Sequence, residues 1–262
     1  YLEEGRDVTT KIQNHERGYY DLWKKVVEIS KEDIKSVYDM INTKFDLWLG
    51  ESDAAEYFDE LYKIYEEKGL LEDSQGAKII NVEEETDKAP IPPLLFLKSN
   101  GTLSYETTDL ATILQRKKEY DPDEIWYVVD NRQGLHFEQI FRAIRKAEIL
   151  REDVSLEHIG FGTMNGKDGK PFKTRDGGVM SLKGLINLVK EETLKRINPE
   201  TVSEAEKDDV ATKVAIAALK YADFLPYRET DYVFEVEKFA DLEGKTGPYL
   251  LYSTIRMKSL LN

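Results

Sequence analysis

The centre of the chain alternates apolar runs of strand length with stretches of helical spacing, and this pattern limits the possible folds more than any other feature. The run EIWYVVD at 124–130 is typical of a strand buried on both faces. Apolar residues at helical spacing follow between 137 and 147, and LEHIGFG at 156–162 predicts the next strand. This strand–helix–strand order predicts an α/β fold built on a parallel sheet.

Shorter elements and a helical tail flank this centre. Apolar spacing predicts helices over 21–42, 54–70 and 108–118, strands over 45–50 and 77–82, and a hairpin around Asn100-Gly101. From about Glu204 onward the spacing is helical. A change of composition near Asn198-Pro199 predicts the boundary between a sheet domain and this helical segment.

Composition excludes several classes of protein. The 262 residues contain no cysteine, which excludes disulfide frameworks, thiolate zinc sites and cysteine nucleophiles, and favours a cytoplasmic location. No apolar run approaches the roughly 18 residues of a membrane span. The polar N-terminus YLEEGRDVTT does not resemble a secretory signal, so no membrane partner is expected. The histidines, at 15, 136 and 158, lack metal-ligand spacing, so no metal site is predicted.

Positive charge concentrates in one part of an acidic molecule. The net charge is −14, yet residues 131–190 contain eleven Lys or Arg against seven Asp or Glu. Within this region, GKDGKPFKTRDGG at 166–178 holds four cations and four glycines. Such a loop suits closure over a polyphosphate, because glycine gives mobility and lysine supplies movable charge. The order of a Walker phosphate loop is absent, and a solvated surface loop is the alternative.

Polar residues at the ends of two predicted strands form a second candidate site, since open α/β sheets bind ligands there. The first strand is followed, at a helix start where anions can bind, by Asp130, Asn131, Arg132, Gln133 and His136. The alternative is that Asp130 or Asn131 only caps the helix. Gly160 and Gly162 either let a flat ligand approach the backbone or mark a bulge. His158, on the same strand, either contacts a ligand or packs in the core.

A carboxylate and a phenol form the third candidate site. Tyr105 and Asp109 are four residues apart at a predicted helix start, and one helical turn places them on the same face. Together they suit a cationic ligand group. The alternative is that Thr107 or Thr108 caps the helix while Asp109 complements its dipole.

Taken together and in this order, these motifs resemble the arginyl-tRNA synthetases, a family of class I aminoacyl-tRNA synthetases. The matching stretches, within residues 94–262, are SYETTDLA, IWYVVDNRQGLHFEQIFRAIRKA, LEHIGFGTMNGKDGKPFKTRDGG and EGKTGPYLLYSTIRMKSLL, and FDLWLGES at 45–52 fits more loosely. The resemblance implies a Rossmann-like sheet followed by the first helices of an all-α anticodon-binding domain. It also implies ATP-dependent activation of L-arginine and its transfer to tRNA(Arg), with Mg²⁺ accompanying the ATP, no bound prosthetic group and a monomeric parent.

The resemblance also assigns roles to single residues. PFKTRDGG at 171–178 lies where class I enzymes carry the Lys-Met-Ser-Lys-Ser loop, although this chain has Lys-Thr-Arg there. The implied catalytic residues are Lys173 and Arg175; the implied ATP-binding residues are His158, Gly160, Phe161 and Lys170; the implied arginine-binding residues are Tyr105, Asp109, Gln133 and Glu51. A carboxylate such as Asp109 accepts two parallel hydrogen bonds from a guanidinium.

One motif of the family is missing. The His-x-Gly-His sequence of class I enzymes does not occur, so we expect a fragment that is inactive by itself. The expected domains are a helical segment at 1–44, the second part of the catalytic domain at 45–203 with its loop at 170–178, and the start of the anticodon-binding domain at 204–262. The alternatives are a non-catalytic synthetase-like module that binds arginine or nucleotide, and a generic nucleotide-binding α/β domain.

Overall fold

The computed structural model describes residues 2–170, 180–197, 200, 202–241 and 243–261. The chain divides into two compact units. The first comprises Tyr1–Asn14 and Phe45–Gly160, and the second comprises His15–Lys44 and Phe161–Asn262.

The helices and strands follow the alternating order that the sequence predicts. The α-helices are α1 (Leu2–Gln13), α2 (Tyr19–Met40), α3 (Phe58–Glu67), α4 (Tyr105–Tyr120), α5 (Gly134–Lys146), α6 (Leu182–Leu194), α7 (Lys207–Phe224), α8 (Val236–Phe239) and α9 (Gly247–Leu261), and 3-10 helices span Glu51–Tyr57 and Asn131–Gln133. The strands are β1 (Glu72–Ser74), β2 (Ala77–Ile80), β3 (Leu94–Leu97), β4 (Glu124–Asp130), β5 (Ser155–Phe161), β6 (Met164–Asn165) and β7 (Tyr232–Val233).

The first unit contains two small sheets around one apolar core. Strands β1, β2 and β3 form an antiparallel sheet in that order, and β4 pairs with β5. Helix α5 connects β4 to β5, which is the strand–helix–strand unit of an α/β fold. The largest fully buried side chains of this core include Tyr65, Phe96, Leu110 and Ile140. Burying one such side chain stabilises the unit by roughly 1.5–3 kcal/mol.

Helix α4 begins three residues earlier than the apolar spacing predicts. The Ser104 side chain accepts a hydrogen bond from the backbone N–H of Thr107 at 3.1 Å, so Ser104 is the N-cap. The predicted capping by Thr107 or Thr108 is therefore wrong. The Thr107 hydroxyl is buried and donates to the carbonyl of Phe96 instead. The earlier start places both Tyr105 and Asp109 within the helix.

Strand β4 is buried on one face only, which corrects the prediction of burial on both. Ile125 and Tyr127 are buried, whereas Trp126 and Val128 are 58% and 60% exposed. Residues of alternating parity point to opposite faces of a strand, so the apolar run has one core face and one exposed face.

The strand predicted at 45–50 does not form. Its residues pair with no neighbouring strand within the part of the chain that the structure describes, and the aromatic rings of Phe45 and Trp48 meet edge to face at 5.5 Å. The structure supports the hairpin predicted around Asn100-Gly101. Gly101 adopts a positive φ of 77° in the turn, and a single antiparallel bridge joins Leu97 to Leu103.

The second unit is mainly helical. Helix α7 packs against both α6 and α9. Its buried face consists of small residues, namely Ala211, Ala215, Ala218 and Ala222, with Leu219. Gly247, at the start of α9, lies so close to α7 that a Cβ there would be 2.2 Å from the carbonyl oxygen of Ala217. Glycine is therefore required for this helix contact.

The observed elements confirm the α/β fold class. Strands β6 and β7 pair in parallel, and helices alternate with strands through the centre of the chain. Among the described residues, none of the helices has the length and apolar character needed to cross a membrane. The domain boundaries at 44/45 and 203/204 remain predictions.

Candidate functional site

The first unit brings Asp109 and His136 into direct contact. Asp109 lies one turn into α4 and His136 lies in the first turn of α5, two helices that pack against each other. Asp109 Oδ2 is 2.7 Å from His136 Nε2. The His136 side chain is 9% exposed and the Asp109 side chain 23% exposed. The pair therefore combines a buried imidazole with a carboxylate that solvent can still reach.

Tyr105 completes this cluster from the preceding turn of α4. Its ring stacks on His136 with 4.7 Å between centroids and 27° between planes. Tyr105 is 57% exposed, so part of its side chain is accessible to a ligand. Partial burial, followed by the nearby carboxylates of Glu106 and Asp109, raises the pKa of Tyr105. The phenol is thus neutral at physiological pH and able to donate or accept a hydrogen bond.

His158 lies on β5 and, like His136, contacts the ring of Phe137. The His158 and Phe137 rings stack with 5.5 Å between centroids, while His136 meets Phe137 edge-on at 4.9 Å. His158 Nε2 is buried without a hydrogen-bond partner among the described residues. Buried polar atoms are usually hydrogen-bonded, so this nitrogen is an exception that packing in the core does not explain.

Gly160 makes room for the side chain of Asn131. A Cβ at Gly160 would lie 2.1 Å from Asn131 Oδ1 and 3.1 Å from His158 Cε1. Any larger residue would displace Asn131 from the carboxyl end of β4. This close approach explains the glycine without a bulge. Phe161, the last residue of β5, is 41% exposed.

The polar residues that follow β4 differ in their contacts and in their exposure. Asp130 accepts hydrogen bonds from the backbone N–H of Arg132 at 2.8 Å and from its guanidinium at 2.7 and 2.9 Å. The Arg132 hydrogen bonds lower the pKa of Asp130 to about 2. Asp130 thus caps the turn, as the simpler interpretation of the sequence held. Gln133 is exposed immediately before α5, and Glu51 is exposed at the start of a 3-10 helix that packs against α4.

The glycine- and lysine-rich loop belongs to the second unit. Residues 166–170 form a turn in which the backbone N–H of Gly166 donates to the carbonyl of Lys170 at 2.8 Å. Lys167 pairs with Glu237 at 3.5 Å, and Lys170 is exposed. Lys173 and Arg175 lie outside the described residues, so their proposed catalytic role stays a prediction.

The sequence predicted His136 as one of the polar residues at a helix start that follows a strand, the usual position of ligand groups in α/β sheets. It did not predict the contact with Asp109. The two residues are 27 positions apart, and no local spacing links them. In the described part of the chain, no three His, Asp or Glu side chains are arranged to hold a metal ion.

Comparison with known proteins supplies an independent line of evidence. Residues 1–236 match the family described as tRNA synthetases class I (R), catalytic domain. The arginine–tRNA ligase of Alkaliphilus oremlandii (strain OhILAs) is 47% identical over 261 residues, which are 99% of this chain and 44% of that protein. The arginine–tRNA ligase of Francisella tularensis subsp. tularensis (strain SCHU S4 / Schu 4) is 44% identical over 260 residues, 99% of this chain and 43% of that protein.

Solved structures of arginyl-tRNA synthetases have a fold similar to that of this chain. The crystal structure of an arginyl-tRNA synthetase from Plasmodium falciparum superposes with a TM-score of 0.79 at 28% identity, over 99% of this chain and 43% of that one. The Thermus thermophilus arginyl-tRNA synthetase gives a TM-score of 0.68 at 17% identity over 95% of this chain and 50% of that one, which is a likeness of fold alone. The chain spans less than half the length of the curated relatives it matches, 44% in the first case.

Proposed function

Because the chain belongs to the catalytic-domain family of class I tRNA synthetases (R), we propose that it forms part of a cytoplasmic, monomeric enzyme that activates L-arginine with ATP and attaches it to tRNA(Arg). The observation that carries this proposal is the Asp109 carboxylate, held at 2.7 Å by the buried His136 beside the exposed ring of Tyr105. The curated relatives named above are arginine–tRNA ligases, which fits a site for a guanidinium.

Asp109 is suited to the guanidinium end of arginine. A guanidinium is a planar fork of five donors, and a carboxylate accepts two of them in parallel. One Asp109 oxygen contacts His136, and both oxygens retain lone pairs for further donors. In the proposal, Tyr105 on α4 and Gln133 immediately before α5 offer additional oxygens, and Glu51 is a further acceptor.

We assign ATP to two groups of residues. His158, Gly160 and Phe161 on β5 contact the adenosine, with the unpartnered Nε2 of His158 as the polar contact. Lys170, Lys173 and Arg175 act on the triphosphate and on the charge that develops as pyrophosphate leaves. Mg²⁺ arrives with the phosphate oxygens of ATP. The helices from residue 204 onward begin the part of the enzyme that contacts tRNA.

The test of this proposal is ATP–pyrophosphate exchange. The assay uses a protein that joins this chain to a His-x-Gly-His segment, supplied with tRNA(Arg) and each amino acid in turn. Exchange with arginine alone is the expected result. Exchange with another amino acid, or with none, would contradict the proposed activity.

The 262-residue chain by itself should bind arginine but catalyse no exchange, since a His-x-Gly-His sequence does not occur in it. Removing one prealigned donor to a transition-state charge costs roughly 10²–10³ in rate, and a whole motif costs more. ATP–pyrophosphate exchange by the isolated chain would contradict the prediction that the chain alone is inactive. The alternative is a non-catalytic module that binds arginine or nucleotide, and it fails if the joined protein charges tRNA with arginine.

A further inference from the structure

We propose that His136 is a positioning residue for arginine recognition: its Nε2–H holds one oxygen of Asp109, so that the carboxylate faces the guanidinium in a single orientation. The inference rests on the proposed role of Asp109 as the guanidinium acceptor. It adds a residue that would not itself touch the substrate.

The hydrogen bond has a defined direction. An ionised carboxylate can only accept, so the 2.7 Å contact requires His136 Nε2 to donate to Asp109 Oδ2. An aspartate on a helix has two rotatable side-chain bonds, and solvent reaches 23% of this side chain. Without the donor, the carboxylate would sample other rotamers and would have to be ordered again when arginine binds.

The imidazole is itself fixed by its neighbours. Tyr105 stacks on one face at 4.7 Å, and Phe137 meets the ring edge-on at 4.9 Å. The ring is almost entirely buried, and its Nδ1 has no hydrogen-bond partner among the described residues. Asp109 is therefore the polar contact that this structure shows for His136, and the ring packing sets where Nε2 points.

Packing and hydrogen bonding at His136 can be separated by two substitutions. His136→Phe keeps an aromatic ring between Tyr105 and Phe137 but removes the donor. His136→Gln removes the ring, and its amide nitrogen, at a reach similar to that of Nε2, can still donate to Asp109. If His136 only fills space, H136F should bind arginine better than H136Q. If His136 acts as a hydrogen-bond donor, H136Q should bind arginine better than H136F.

The experiment measures binding of L-arginine and L-citrulline to the 262-residue chain by titration calorimetry. Citrulline replaces the charged guanidinium with a neutral urea. We expect H136F to weaken arginine binding by about tenfold or more, the usual effect of losing a hydrogen bond to a charged group, and to leave citrulline binding nearly unchanged. H136Q should stay within about threefold of wild type. The matched control is His15→Phe, the same exchange at an exposed histidine of the second unit.

Asp109→Ala separates the failure of this inference from failure of the proposed function. If D109A weakens arginine binding and H136F does not, the positioning role is wrong and the arginine site stands. If wild type fails to bind arginine, or D109A binds it normally, the proposed function fails and the positioning role with it. In the double variant, H136F should add little to the loss from D109A, and additive losses would overturn the inference. His136→Leu replaces H136F if circular dichroism shows that H136F does not fold.

Discussion

The two units present charge to a ligand in opposite ways. In the first unit, Asp109 is held by a buried imidazole and bordered by a stacked aromatic ring. In the second unit, Lys170 stands exposed on a tight turn, and Lys167 pairs with Glu237 across 3.5 Å. In the proposal, Asp109 meets a charge that is already present in the substrate, whereas the loop cations act on a charge that develops during the reaction. The contrast predicts that substrate choice belongs to the first unit and rate to the second.

Removing the loop cations should give the largest effect. In the protein joined to a His-x-Gly-His segment, Lys173→Ala with Arg175→Ala should slow adenylate formation by roughly 10³, because one such donor is worth about 10²–10³. Arginine affinity should stay within about twofold, since the cations act on the transition state. Single-turnover adenylation measures the rate, and Lys183→Ala, at an exposed position of α6, is the control. A normal rate of adenylate formation in the double variant would contradict the proposed difference between the two units.

Asp109→Ala should show the reverse behaviour. The KM for arginine should rise about 10²-fold, in line with the roughly 2–5 kcal/mol lost when a buried charge pair loses one partner. The KM for ATP should change little. Asp123→Ala, at a carboxylate 91% exposed in the first unit, is the matched control. Steady-state exchange kinetics with each substrate varied in turn provide the measurement, and an unchanged arginine KM would remove Asp109 from the site.

Substituting one glycine in each unit by alanine tests how tightly the atoms around that glycine are packed. A Cβ at Gly162 would lie 2.4 Å from the backbone carbonyl of Thr230, whereas a Cβ at Gly160 meets the side chain of Asn131. Backbone yields less readily than a side chain, so Gly162→Ala should destabilise by about 2 kcal/mol and Gly160→Ala by about 1 kcal/mol. Urea unfolding followed in each unit measures both. Equal losses would mean that Asn131 is as rigid as backbone.

The smallest expected effect concerns acid stability of the first unit. The hydrogen bond from Arg142, followed by that from the backbone N–H of Glu84, lowers the pKa of Asp87 to about 2 from an unfolded value of 3.8. A lowered folded-state pKa contributes stability that is fully present above about pH 4 and is lost as the pH falls toward 2. Asp87→Asn should therefore flatten the pH dependence of unfolding in that window. Asp208→Asn, in the second unit, is the control, and an unchanged acid limb in Asp87→Asn would contradict the assignment.

Sequence patterns predicted most of the elements because their signals are local. Gly69 ends the helical region near its predicted position, with a φ of 66°, and the periodic apolar residues of α5 are buried as expected. The carboxylate and phenol of α4 fell on one face because four residues make one helical turn. Each of these inferences needed only a few neighbouring residues.

The errors came from information that is not local. The apolar run of β4 is compatible with burial of one face of the strand or of both faces. The sequence therefore did not predict that Trp126 would be exposed. The segment 45–50 has strand-like residues but lacks a partner among the described strands, and pairing is a tertiary property. The sequence placed His136 at the candidate strand end but did not predict its contact with Asp109, because the two residues are 27 positions apart.

That separation of 27 residues also has a consequence for the order of folding. Helix α4, strand β4 and helix α5 are consecutive along the chain, and their contacts form among neighbours in sequence. Low contact order favours rapid folding, and synthesis proceeds from the N-terminus. The carboxylate–imidazole pair can thus assemble while helices α6 to α9 of the second unit are still being made. Under the proposed function, the two residues that recognise and orient the guanidinium lie within one short stretch of the chain.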